Sequence, residues 1–230
     1  MKRILTDFLS LFYPRACICC NRTLLSKEEY ICMHCRLDFP LTNFSVVGDN
    51  PLRRHLLTIE NLDYVFAYLK YVRHGAAQKI LHELKYRDQK GLGIMMGQWL
   101  GYYILEKAEM LDIDLIIPIP LHKSKLRKRG YNQSALIAEG LSKSLGINWE
   151  GNILERKVYT STQTKKGKTD RWVNVDNIFQ KSNNKDIKNQ HILLIDDVIT
   201  TGATIESAAK ILTESGVGKI SIACIATGQQ

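Results

Sequence analysis

HILLIDDVITTGAT, running from His191 to Thr204, is the stretch on which the fold turns. Ile192 to Ile195 read as a strand buried on both faces. The strand is expected to end on two carboxylates, Asp196 and Asp197, followed by a run of small residues. Such a run between strand and helix brings several backbone N–H groups to one point, and the positive end of the next helix dipole adds to them. That is a phosphate site: Gly202 lets the backbone come close, and Thr200, Thr201 and Thr204 add hydroxyls. Carboxylates repel phosphate, so Asp196 and Asp197 suit vicinal hydroxyls, or a divalent cation held beside them. A sugar phosphate meets both needs. A strand ending on a solvated acid pair is the plainer account of two acids alone, but it does not explain the loop behind them.

Outward from this stretch, strands and helices alternate. Tyr64 to Tyr71 is strand-like. Ala76, Ala77, Ile80, Leu81 and Leu84 recur at helical spacing, as do Met96, Leu100, Tyr103 and Ile104. Asp114 to Ile119 is a short apolar strand. Gln133 to Leu145 is a helix stopped by Gly146. Ile205, Ala208, Ala209 and Leu212 form a further helix ended by Gly216, and Lys219 to Ile225 is a last strand. This alternation implies a parallel sheet flanked by helices. Ligands on such sheets bind beyond the carboxyl ends of the strands. The segment after Pro118 and the DDVITTGAT segment both lie there. Residues 160–190 are polar and are expected to form a mobile loop or hairpin.

The start of the chain carries different chemistry. Cys17, Cys20, Cys32 and Cys35 form C-x2-C, eleven residues, C-x2-C. Zinc takes four thiolates tetrahedrally, and a two-residue gap lets both sulfurs of a knuckle reach one ion. Cys19 has the wrong spacing to Cys17, and His34 reads as a solvent-facing neighbour. Four cysteines leave no open coordination position, so the zinc is expected to be structural. Disulfides are the competing account, and no secretory signal precedes them. Cys224, in the last strand, reads as a buried small hydrophobe. Residues 1–14 read as a short amphipathic helix with Ile4, Leu5, Phe8, Leu9 and Phe12 on one face, packed on the body of the protein, with docking on a membrane surface or a partner as the alternative. Residues 1–45 are therefore expected to form a helix and a four-cysteine zinc module, and residues 46–230 the α/β domain.

With 45% hydrophobic and 24% charged residues, the 230-residue chain can build a core without disulfide staples. No apolar run approaches the roughly 18 residues of a membrane span. A cytoplasmic protein is expected. Net charge is +9, and the excess is concentrated. Lys123, Lys125, Arg127, Lys128 and Arg129 follow one another without an acid. A second cluster holds Arg156, Lys157, Lys165, Lys166, Lys168 and Arg171. Basic runs are commonly solvated faces, but two of them flanking a phosphate-type loop make an anion-binding cleft.

HILLIDDVITTGAT resembles the 5-phosphoribosyl-1-pyrophosphate (PRPP) motif of the type I phosphoribosyltransferases: apolar strand, acid pair, two apolar residues, Thr-Thr-Gly, then Thr. The cysteine knuckles, LKY at Leu84–Tyr86, PIPLHKSKLRKRGYNQ at Pro118–Gln133, and an Arg171, Asn174, Phe179 stretch resemble, in this order, the ComF family of competence-associated proteins. The resemblance runs from about Cys17 to the end. It implies a type I phosphoribosyltransferase-like parallel sheet flanked by helices, behind a small N-terminal zinc-knuckle module. Asp196 and Asp197 would hold the ribose of PRPP, and Val198, Ile199, Thr200, Thr201, Gly202, Ala203 and Thr204 would cradle its 5′-phosphate. The loop after Pro118 would face the pyrophosphate, with Lys123, Arg127, Arg129, Asn132 and Gln133 as the residues to expect there. Mg²⁺ would bridge pyrophosphate and ribose oxygens, and the 160–175 region would close over the site.

The resemblance also implies a role in DNA uptake during natural transformation, on incoming single-stranded DNA; a structural adaptor whose zinc module docks a competence helicase or channel protein is a further alternative. Tyr131 and Trp172 are candidate stacking surfaces, although packing in a core or lid accounts for either equally well. The alternative is an active phosphoribosyltransferase whose acceptor base is unspecified, since no segment declares a base-reading pocket.

Overall fold

Four strands that read as apolar runs in the sequence pair side by side, all parallel. The computed structural model describes residues 15–48, 50–108, 111–157, 178–183 and 185–228. The strands are β1 (Leu62–Lys70), β2 (Leu115–Pro118), β5 (His191–Ile199) and β6 (Lys219–Thr227), in the order β1-β6-β5-β2. Two short strands, β3 (Leu154–Arg156) and β4 (Phe179–Lys181), form a separate antiparallel pair. The segment that joins them lies mostly outside the described residues. So do the expected N-terminal helix over 1–14, the expected closing segment over 160–175, and Trp172.

Two short helices come first, α1 (Met33–Leu37) in the cysteine segment and α2 (Pro51–Arg54) before β1. The buried Asn50 side chain caps α2. Longer helices cover both faces of the sheet. On one face lie α3 (Ala76–Tyr86), α4 (Lys90–Lys107) and α6 (Gln133–Leu145), packed on Phe66, Leu193, Ile195 and Ile225. On the other lies α7 (Ala203–Glu214), whose Ile205, Ala208, Ala209 and Leu212 pack on Ile192, Leu194 and Ile222. The periodicity read in the sequence is the buried stripe of each helix. Helices α4 and α6 cross closely because Gly97 and Gly140 face one another. A Cβ on Gly97 would stand 2.2 Å from the Ile137 carbonyl oxygen, and one on Gly140 would stand 2.1 Å from that of Ile94.

Both outer edges of the sheet are occupied. Residues 40–46 bond along β1: Thr42 N–H donates to Tyr68, Lys70 N–H to Pro40, and Val65 N–H to Val46. Along β2, Ile116 N–H donates to Asn148, and Glu150 N–H donates to Ile116.

The cysteine segment does not stand apart from the α/β body. Cys17, Leu24, Ile31, Cys32 and Phe39 belong to the same buried cluster as Leu84, Leu92 and Met96.

The amino ends of the strands are pinned by charge. His191 bonds through Nδ1 to Asp112 at 2.9 Å and through Nε2 to Ser221 at 2.7 Å. Lys219 bridges Asp63 and Asp112 at 3.1 and 2.9 Å. The Ser–His–Asp order is that of a hydrolytic triad, but Ser221 is fully buried and its Oγ accepts from the Tyr64 N–H, so it is no nucleophile. Asp63, Asp112 and His191 also lie close enough to hold a cation together, and the Lys219 ammonium supplies that charge.

Candidate functional site

Strand β5 does not end on its acids. It runs on through Asp196 and Asp197 to Ile199, which pairs with Thr227. The ladder with β6 therefore holds the acid pair in extended backbone, where successive side chains turn to opposite faces. Asp197 is buried and forms an ion pair with Lys85, at the end of α3, at 2.9 Å. Asp196 accepts from the Ser134 hydroxyl at 3.1 Å, and from the Asp197 N–H at 2.8 Å. Desolvation by the surrounding protein and the adjacent Asp197 carboxylate push the Asp196 carboxyl up to about 7, against the pull of Lys85 and Ser134.

The turn after β5 is only three residues long, Thr200 to Gly202, before α7 starts at Ala203. Gly202 takes the N-cap position with φ +85, a conformation open to glycine, and a Cβ there would lie 2.8 Å from Leu56 Cδ2. Among the described residues, no side chain caps this helix. Its first N–H groups face a concavity of about 40 Å³ lined by Asp196, Val198 to Gly202, Thr204 and Ile205. This is the place at which the sequence reading expects a phosphate cradle. Val198 and Ile199 reach it from the strand and Thr204 from the helix, while Ala203 does not line it.

The basic run after Pro118 is a helix, where the sequence suggests a loop. Helix α5 (Lys123–Arg129) is capped by the His122 side chain accepting from the Ser124 N–H, and it ends on Gly130 in the left-handed conformation. Arg127, Lys128 and Arg129 fall in its last turn, where the helix dipole favours cations. A helix also sorts these residues by direction. Lys125, Lys128 and Arg129 line a pocket of about 440 Å³ together with Lys85, Tyr86, Asp88 and Tyr131. Lys123 turns instead to Glu155 at 2.7 Å, and Arg127 does not line that pocket.

Asn132 and Gln133 are structural partners of this region. Asn132 caps α6 and donates to the Ile119 carbonyl at 2.9 Å, tying α6 to the end of β2. Gln133 is buried, and its Oε1 accepts from Arg129 at 2.9 Å. Tyr131 is buried as well and donates to the Leu84 carbonyl at 2.8 Å, so it offers no open face for stacking. The exposed ring at this pocket is Tyr86, 63% accessible, with the Arg129 guanidinium 5.7 Å from its centre.

Four further neighbours of the acid pair stand here: Ser134, which the sequence does not mark, Lys85, marked only within the LKY motif, and Lys125 and Arg156, marked only as members of the basic runs. Burial, and then the charges of Arg156, Arg129 and Lys85, hold the Lys125 ammonium below the usual lysine range. Desolvation likewise lowers Arg156, while Asp196 opposes that shift. These cations therefore converge on the acid pair. Beside them a less polar trough of about 360 Å³ runs from Tyr71, Gln78, Leu81 and His82 past Tyr86 to Val198 and Thr200.

At the opposite end of the chain, the Sγ atoms of Cys17, Cys20, Cys32 and Cys35 all lie within 4.8 Å of one another. Zn–S bonds of about 2.3 Å set tetrahedral sulfurs about 3.8 Å apart, and Cys20 and Cys32 are 3.7 Å apart. Backbone groups support thiolate at Cys17, while burial pushes the Cys35 thiol up. Cys17 Sγ accepts from the Cys32 N–H at 3.3 Å, and Cys32 Sγ accepts from the Cys35 N–H at 3.5 Å. Burial resists ionisation of Cys17, but N–H groups of Cys32, Cys20 and Cys19 outweigh it and bring the thiol down to about 6. The four sulfurs fit a metal such as zinc. Cys19 lies outside the set and accepts from Lys79 through its carbonyl, and His34 pairs with Asp38 at 3.1 Å.

A family model described as a phosphoribosyl transferase domain matches residues 132–230. Competence protein F of Haemophilus influenzae is 37% identical over 147 residues, 62% of this chain and 64% of that protein. DNA utilization protein YhgH of Escherichia coli O157:H7 is 27% identical over 149 residues, 64% of this chain and 65% of that protein. Competence protein ComFC of Bacillus subtilis is 39% identical over 102 residues, 44% of this chain and 39% of that protein. The matched stretches span less than two thirds of these relatives' lengths. A solved hypoxanthine phosphoribosyltransferase from Staphylococcus aureus aligns at 15% identity with a TM-score of 0.40, over 61% of this chain and 64% of that one. With its parallel sheet, its acid pair before a glycine turn and its four clustered cysteines, the chain carries a phosphoribosyl transferase-type domain over residues 132–230 and is similar to the competence proteins F and ComFC.

Proposed function

We propose that this protein binds PRPP and works in the cytoplasm as a DNA-uptake factor that handles single-stranded DNA. One observation carries the ligand reading: the glycine turn at a helix N-terminus, the acid pair and the basic pocket adjoin one another at the carboxyl end of the sheet. The 5′-phosphate sits on the N–H groups of Thr200 to Thr204. Asp196 and Asp197 take the ribose hydroxyls, and Lys85, Lys125 and Arg129 take the pyrophosphate. Mg²⁺ offsets the remaining charge between acids and pyrophosphate. Zinc on the four cysteines is structural.

The DNA role is supported by kinship to proteins named for competence and DNA utilization. It is supported also by the cationic pocket beside the exposed Tyr86 ring, a combination that suits phosphate and stacked base. Calorimetry with PRPP and Mg²⁺ tests the ligand: no heat from PRPP, with the protein folded and zinc-loaded, removes the reading. Fluorescence anisotropy with a labelled single strand tests the partner. Binding that does not weaken with salt rules out a phosphate-tracking surface.

The trough beside Val198 and Thr200 favours a second reading, an active phosphoribosyltransferase. It is large enough for a flat acceptor base and lies against the expected ribose position. Release of pyrophosphate from PRPP with any nucleobase would establish that reading.

A further inference from the structure

The acid pair is already satisfied before any ligand arrives. Asp197 holds Lys85 at 2.9 Å, with both side chains largely covered. Lys85 also lines the basic pocket, next to Lys125 and Arg129. It therefore stands between two anions, the Asp197 carboxylate now in contact with it and any anionic group that enters the pocket. The Asp197 oxygen that holds Lys85, Oδ2, opens fully to a ribose hydroxyl only when Lys85 gives way.

We infer that Lys85 is a specificity residue that exchanges Asp197 for the ligand's second anionic group, so that the site selects sugar phosphates carrying an anion at the far end from the 5′-phosphate. This rests on the ribose-phosphate reading proposed above. Pulling Lys85 from Asp197 leaves its ammonium among Lys125, Arg129 and Arg156, which already crowd one another. That move is unfavourable without a new anion, because a covered charge that loses its partner is costly. A pyrophosphate or phosphate delivered into the pocket supplies the anion, takes the ammonium, and frees Asp197 for the hydroxyls in the same step. Ribose 5-phosphate fills the turn but brings nothing for Lys85. The lysine thus couples the two halves of the site, and its contribution has opposite signs for the two ligands.

The test is calorimetric binding of PRPP and of ribose 5-phosphate, each with Mg²⁺, to wild type, Lys85→Met and Lys85→Arg. Lys85→Met keeps the aliphatic stem and removes the charge. Melting temperature and zinc content verify that each variant is folded. Lys85→Met is expected to bind PRPP roughly 10- to 100-fold more weakly and ribose 5-phosphate more tightly than wild type does. Lys85→Arg is expected to keep the wild-type preference. Equal weakening of both ligands would make Lys85 a general anion attractor and overturn the exchange while leaving the ribose-phosphate reading intact. Unchanged affinities would overturn it as well. Wild type that binds neither ligand would instead remove the underlying reading. Should Lys85→Met not fold, Lys85→Gln read against Lys85→Arg supplies the same comparison.

Discussion

The Ser134 hydroxyl donates to Asp196 across 3.1 Å, joining residues 62 positions apart in the chain. Ser134 lies in the first turn of α6, whose cap Asn132 is itself tied to the end of β2. The acid is thus oriented by a helix that is anchored one strand away.

Asp196 should make stability fall as pH rises. Its folded carboxyl titrates near 7, whereas an unfolded aspartate titrates near 4. The folded state therefore holds the extra proton between those values, and the penalty grows from about pH 4 and is complete above about pH 7. Asp196→Asn should gain roughly 2–4 kcal/mol over wild type at pH 8 and little at pH 4. Denaturant melts at both pH values check this, and a pH-independent difference would contradict it.

Replacing Cys32 and Cys35 by serine should release zinc and destabilise the whole chain by several kcal/mol. Cys17 and Cys32 share one buried cluster with Leu84 and Met96, so unfolding should remain a single transition at lower temperature. Metal analysis with calorimetric melting decides it. Retained zinc would show a different ligand set, and two separate transitions would show an independent module.

Gly202→Ala should cost about 1–3 kcal/mol and remove binding of the 5′-phosphate. The φ of +85 and the approach to Leu56 both oppose a Cβ. Chemical denaturation and a PRPP titration measure the two effects separately. Full affinity in a destabilised variant would mean the turn does not cradle phosphate.

Lys125→Ala and Arg129→Ala should each lower the dependence of single-strand binding on salt by about 0.7 in the log–log slope. Lys123→Ala should lower it less, because Lys123 is engaged with Glu155. Anisotropy titrations at several salt concentrations give the slopes. A Lys123→Ala effect equal to that of Lys125→Ala would indicate that the whole helix surface, rather than the pocket, meets the strand.

Much of the fold could be read locally. The span of α6 and its Gly146 stop follow from helical spacing and a glycine cap, both short-range signals. The turn at Gly202 was legible for the same reason. What failed was long-range or masked by composition. Five cations within seven residues look like a solvated loop, yet His122, Gly130 and the dipole make them a helix. Carboxylates look like the end of a strand, but pairing with β6 carries β5 past them to Ile199. Lys85 looks like an ordinary surface lysine at the end of an amphipathic helix. Only the packing of α3 against the sheet brings it to Asp197. Tyr131 looks exposed in sequence, and only packing, with its bond to the Leu84 carbonyl, buries the ring.

The backbone along both flanks of the central sheet is already spoken for, by residues 40–46 on β1 and by Asn148 and Glu150 on β2. A strand from another chain has no vacant ladder there to extend. Among the described residues, association across this sheet must therefore be written in side chains, and can be edited by substitution without unzipping the fold.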